Sequence, residues 1–204
     1  MNFILGTVIL YNNLTAWTSR IQQWWWSVTY RGETKYLVSH SSIYAGINRH
    51  LQREMEVEAN LQVDHTSFHY NGDKMILYYP YCNSDSVKRA LNKTIDEHEE
   101  TTYGFISWFT IFLRGIFEIL GFKNVKSWNI LWGWGVICSE FVYYFWKNLC
   151  DDIAENSHNY NEKKYWKEVS NVLEGYNPNI FTPVDILIIQ RRFTWCFREY
   201  KEMI

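Results

Sequence analysis

Cys138 is the residue best placed to do covalent chemistry. It follows a Gly-Trp-Gly turn (Gly133, Trp134, Gly135) and opens a segment with Phe141, Val142, Phe145, Trp146 and Leu149 on or near one side. That spacing predicts a helix near 138–149 with the cysteine in its first turn. The unpaired N–H groups and positive dipole end there stabilise a thiolate, the actual nucleophile. The same N–H groups can hold an oxyanion. A free cysteine is more often a small buried core residue, so position alone leaves both readings open. A thiolate needs a base, and the base needs an orienting group. His40 stands in the strand-like run SHSSIY, where His40, Ser42 and Tyr44 share a face. Glu56 and Glu58 share the polar face of another strand-like segment, and parity cannot choose between them.

The remaining reactive side chains carry weaker signals. His65 and His69 are four apart with Asp64 and Asp73 nearby, a spacing that can ligate a metal. The further histidine, His98, is remote, so no metal and no cofactor are expected. His50 and His158 read as surface residues. Cys82, Cys150 and Cys196 read as core or surface thiols. No C-x-x-C occurs, and 204 residues need no disulfide framework. The acidic run at 96–100, DEHEE, reads as a solvated helix face. A net charge of -2 excludes general nucleic-acid binding, which needs a basic face. Aromatic residues make up 19% of the chain. They require either a dense core or a surface for lipid, sugar or protein.

The elements that must position these groups are legible in outline. One domain over 1–204 is expected from the length. Residues 6–11, GTVILY, and 36–47 read as strands. Residues 54–63 alternate cleanly, with Met55, Val57, Ala59, Leu61 and Val63 facing one way. Residues 74–79 form another strand, closed by Pro80. Residues 15–27 have helical spacing and contain Trp24, Trp25 and Trp26. Ser84 or Asp85 can cap a helix to about Glu99, and a helix over 163–173 stops before Gly175 and Pro178. Residues 156–161 read as a polar loop, and 184–190 and 193–197 as late strands. Mixed strands and helices without strict alternation give an α+β class.

The most apolar stretch runs from Gly104 through Phe105 to Phe122. It contains Arg114 and Glu118, four apart, which can pair on a helix. A buried helix is therefore expected rather than a membrane span, with an interfacial helix on a membrane surface as the alternative. The N-terminus shows no basic n-region and no cleavage site, so no signal peptide and a cytoplasmic location are expected.

Read together, the motifs resemble a known family. GTVILY is similar to a G-D-[IV]-[IL]-L opening, SHSSIYAG to S-H-x-G-I-Y-x-G, and VEAN to a strand ending in E-A. YGF at 103–105 is similar to Tyr-x-[FW], ICSEFVYYFW to C-S-E-[FL]-V, and TPVDIL at 182–187 to a closing T-P-x-D-L strand. In this order they resemble the circularly permuted NlpC-type (NlpC/P60) cysteine hydrolases of papain-like fold, the branch that includes the YiiX-like proteins. Thr7, Ser42 and Gly104 depart from the pattern, but Cys, His and Glu are all present.

The resemblance implies an antiparallel sheet packed on helices, with Cys138 as nucleophile, His40 as base and Glu58 as third member. It adds Tyr103, Ser42 and Tyr44 as oxyanion or substrate-site candidates. It also implies a bacterial or phage source and a peptide, peptidoglycan-fragment or acyl-lipid substrate. The expected activity is amide cleavage through a thioester. Acyl transfer to or from lipids, as in the related lecithin–retinol acyltransferase branch, and a non-catalytic binding module on the same fold are the alternatives.

Overall fold

The computed structural model describes residues 3–11, 38, 40–48, 51–59, 63–69, 75–99, 101, 105–128 and 137–200, without the side chains of 105–109. Six strands form one antiparallel sheet: β1 Val8–Tyr11, β2 His40–Asn48, β3 Arg53–Ala59, β4 Val63–Ser67, β5 Met75–Pro80 and β6 Phe197–Glu199. Their order is β4-β3-β2-β1-β5-β6. The described helices are α1 Ser84–His98, α2 Phe105–Ile119, α3 Cys138–Asn156, α4 Tyr160–Leu173 and α5 Pro183–Arg192.

The two faces of β1 explain the layering. Val8 and Leu10 face the main core, built against Ile43, Val57 and the helices. Ile9 points the other way, into a smaller cluster with Tyr44, Phe68 and Leu77, and Tyr11 packs against it. A strand buried on both sides reads as a continuous apolar run, and VILY is one. α3 supplies the centre of the main core: Phe141, Val142, Phe145, Trp146, Leu149 and Ile153 are fully buried. At Gly6, φ is +77° and an added Cβ would sit 2.4 Å from Val87 Cγ1. Only glycine lets α1 pack that close to the start of β1.

Three expectations change. The alternation over 54–63 is two strands, because β3 ends at Ala59 and β4 begins at Val63, paired back onto Ala59. Val63 keeps its core-facing side across the reversal, so parity alone hides the break. The stretch 184–190 is helix, not strand. Thr182 and Asp185 form a reciprocal capping box around Pro183 at the first helical position, a start signal that overrides the β-like run of apolar residues. The last strand lies at 197–199 rather than 193–197, since Phe193 ends α5. Two helix starts shift as well: Asn83, rather than Ser84 or Asp85, caps α1, and α4 begins at Tyr160 rather than 163, under an Asn159 cap.

Candidate active site

β1, β2 and β3 bring three functional side chains to one end of the sheet. Tyr11, at the end of β1, pairs with His40 at the start of β2. On the other side of β2, Ile43 pairs with Val57 of β3. Continuing that register puts Ser42 across from Glu58, so His40 and Glu58 are diagonal neighbours, within reach of long side chains. His40 Nε2 and Glu58 Oε2 are 2.7 Å apart. Thr66 of β4 donates a longer bond, 3.3 Å, to the second Glu58 oxygen. Of the two carboxylates left open by parity, Glu58 meets His40.

Cys138 arrives from the helix layer as the first residue of α3. Behind it, Ser139 Oγ donates to the Phe181 carbonyl at 2.6 Å and pins the helix start. The Cys138 thiol is hydrogen-bonded to the His40 ring. Because Nε2 faces Glu58, Nδ1 is the nitrogen left for the sulfur. The Ser41 backbone N–H donates to the sulfur as well. The Ser41 hydroxyl lies nearby, buried and without a hydrogen-bond partner.

These contacts favour the charged pair. Burial opposes the imidazolium, yet the Cys138 charge and hydrogen bond, together with Glu58, outweigh it and push His40 up to about 10. Burial likewise opposes the thiolate. The His40 charge and hydrogen bond and the Ser41 N–H win, holding Cys138 below the usual thiol range. The other thiols lack such partners: burial pushes Cys82 and Cys150 well above it, and Cys196 up to about 12. The His40 side chain is 26% exposed and Glu58 14%, so the imidazole remains within reach of a substrate.

A second polar layer supports the first. Glu56 is buried on the face of Glu58, where Tyr11 Oη and Ser42 Oγ both donate to its Oε2. Burial raises its pKa above the carboxylate norm. The Tyr11 ring lies 5.5 Å from the His40 ring, tilted by 38°. Ser42 therefore binds a carboxylate behind the histidine. Tyr44 packs with Phe3 and Phe68 in the smaller cluster, and its hydroxyl reaches Glu54 at 3.4 Å. Neither is placed against the thiol. Tyr103, Trp24, Trp25, Trp26, Trp134 and Gly133 to Gly135 lie outside the described residues.

Sequence reasoning passed over Ser41 and Tyr11. Each carried one signal: Ser41 adjoins the histidine, and Tyr11 ends the strand that pairs with it. His65 lies on β4 and His69 beyond its end. Among the described residues, no group of three or more His, Cys, Asp or Glu side chains has a metal-binding arrangement. No described helix is long and apolar enough to cross a membrane. No family model, curated protein or solved structure matches the chain.

Proposed function

We propose that this protein is a cysteine hydrolase of permuted papain-like fold that cleaves an amide through a thioester, with cell-wall-type peptides as the leading substrate class. The observation that carries the reading is His40, hydrogen-bonded to Cys138 on one side and Glu58 on the other. The chain order His, Glu, Cys agrees with the resemblance in the motifs.

The Cys138 thiolate attacks the acyl carbon, and a carbon–sulfur bond forms as the carbonyl becomes an oxyanion. The first-turn N–H groups of α3, which have no helical acceptor, are the donors for that charge. His40 passes its Nδ1 proton to the leaving nitrogen as the carbon–nitrogen bond breaks. Neutral His40 then takes a proton from water, the hydroxide attacks the thioester, and Cys138 departs as thiolate. Glu58 holds the Nε2–H and fixes the ring's orientation.

The test is a limited iodoacetamide pulse followed by mass spectrometry. Cys138 should be labelled ahead of Cys82, Cys150 and Cys196; equal or slower labelling removes the reading. A turnover comparison of muropeptides with acyl lipids, with Cys138→Ala as control, then names the bond.

One observation favours acyl lipids as a second reading. Phe112, Ile116 and Ile119 of α2, with Leu120 and Phe122 just beyond, are exposed apolar side chains. Liposome flotation decides: a protein that stays at the bottom of the gradient is not a lipid-surface enzyme of this kind.

A further inference from the structure

One cleft among the described residues lies away from the proposed triad. It has a volume of about 480 Å³ and lies between the end of β5, β6 and the start of α4. β6 is three strands along the sheet from β2, roughly 14 Å at ordinary strand spacing. Ligand clefts are usually of this size and combine apolar walls with a few convergent polar groups.

Its walls are large exposed rings. Tyr81 is 54% exposed, Trp195 44% and Tyr165 38%, and the rings of Tyr165 and Trp195 are 5.9 Å apart. Three exposed rings around one concavity form an open aromatic surface. The polar lining is of two kinds. Some of it is committed to the fold: Glu162 accepts from the Asn83 N–H and the Ser157 hydroxyl, and Asn159 Oδ1 caps α4. The rest is free to meet a ligand. The Asn161 side chain lies at the cleft wall. The Arg198 guanidinium lies over the Tyr81 ring, 3.8 Å from its centroid, and pairs with no carboxylate among the described residues. Stacking orients its N–H edge and leaves it available for an anion.

We propose that this cleft binds a saccharide bearing a carboxylate. A pyranose offers an apolar C–H face to an aromatic ring and a rim of hydroxyls to amide side chains. The three rings with Asn161 supply both. One unpaired guanidinium fits one carboxylate in a bidentate contact. A polyphosphate would need several cations, and the lining offers only this one. The site does not depend on the hydrolase reading, because no triad residue lines it.

The full-length Cys138→Ala protein separates the two questions, since it binds without turnover. Calorimetry compares three probes: a tetrasaccharide alternating glucuronic acid with N-acetylglucosamine, neutral chitotetraose, and tetraglutamate. The acidic tetrasaccharide should bind saturably and at least tenfold more tightly than either of the others. Trp195→Ala and Arg198→Ala should each weaken it at least tenfold. Arg198→Lys should weaken it too, because an ammonium cannot lie flat on Tyr81. The proposal is overturned by no saturable binding, by variants that bind equally well, or by a match from chitotetraose or tetraglutamate. If a variant fails to fold, hydrogen exchange on the parent protein decides. Protection of 193–198 by the tetrasaccharide supports the site, and unchanged exchange there overturns it.

Discussion

Two buried charge networks sit in this molecule and do opposite things. One is the Cys138–His40–Glu58 end of the sheet. The other joins α2 to α5 through Arg114, whose side chain is 1% exposed. Arg114 donates to both Asp185 oxygens at 2.6 and 3.0 Å, to the Ile180 carbonyl at 2.8 Å and to Glu118 at 2.8 Å. Asp185 also accepts from the Thr182 N–H and hydroxyl. The guanidinium has no accessible neutral form, and its partners hold it from several sides, so the clamp is a rigid joint. In the proposed triad, both members of the central pair are titratable, and the histidine remains partly open to solvent. Burial raises the stakes in both places. A guanidinium held from several sides suits a strut, whereas titratable partners suit a site.

The sharpest way to break this contrast is Cys138→Ala. Turnover should fall by about 10⁴-fold or more, with the urea midpoint nearly unchanged. A variant that loses stability instead would make the thiol a core residue. Asp185→Ala should show the reverse pattern. It leaves Arg114 buried with its main partner gone, so stability should fall by about 3–5 kcal/mol in urea unfolding. Labelling of Cys138 should persist in the fraction that remains folded.

Glu58→Gln probes the proton held in the pair. Thiolate reactivity in the parent should rise as pH climbs through the depressed Cys138 pKa. Turnover should fall again as His40 loses its proton near pH 10. Glu58 is one of the groups raising His40, so its loss should move that alkaline limb to lower pH. An unmoved limb in the pH–rate profile would leave Glu58 no electrostatic role. The smallest effect is expected for Tyr11→Phe, which removes one donor from buried Glu56. It should cost about 1–3 kcal/mol in stability and change turnover less than Glu58→Gln does. A larger kinetic than thermodynamic effect would promote Tyr11 from support to site.

Legibility in the sequence follows the range of each interaction. The thiol at a helix start was readable because caps and 3.6-residue spacing are local, as was the Arg114–Glu118 pair at four residues. The Arg114–Asp185 contact, across 71 residues, left no local trace. The run at 184–190 reads as a strand because a short apolar stretch suits strand and helix alike, and only the Thr182–Asp185 box breaks the tie. The turn between β3 and β4 leaves no mark in the pattern because Ala59 and Val63, paired across it, keep the same parity as a continuous strand would.

By itself the sequence determined the α+β content, the helix that begins at Cys138, and the shared faces of His40 with Ser42 and of Glu56 with Glu58. Tertiary structure decided which carboxylate serves the histidine. Glu56 and Glu58 are two residues apart, and a strand repeats every two residues, so no pattern within β3 can separate them. The register of β3 on β2 does: it sets Glu58 beside His40 and leaves Glu56 to Tyr11 and Ser42. The meeting of the thiol with the imidazole was decided at the same level, because it joins a helix start and a strand start that only packing brings together.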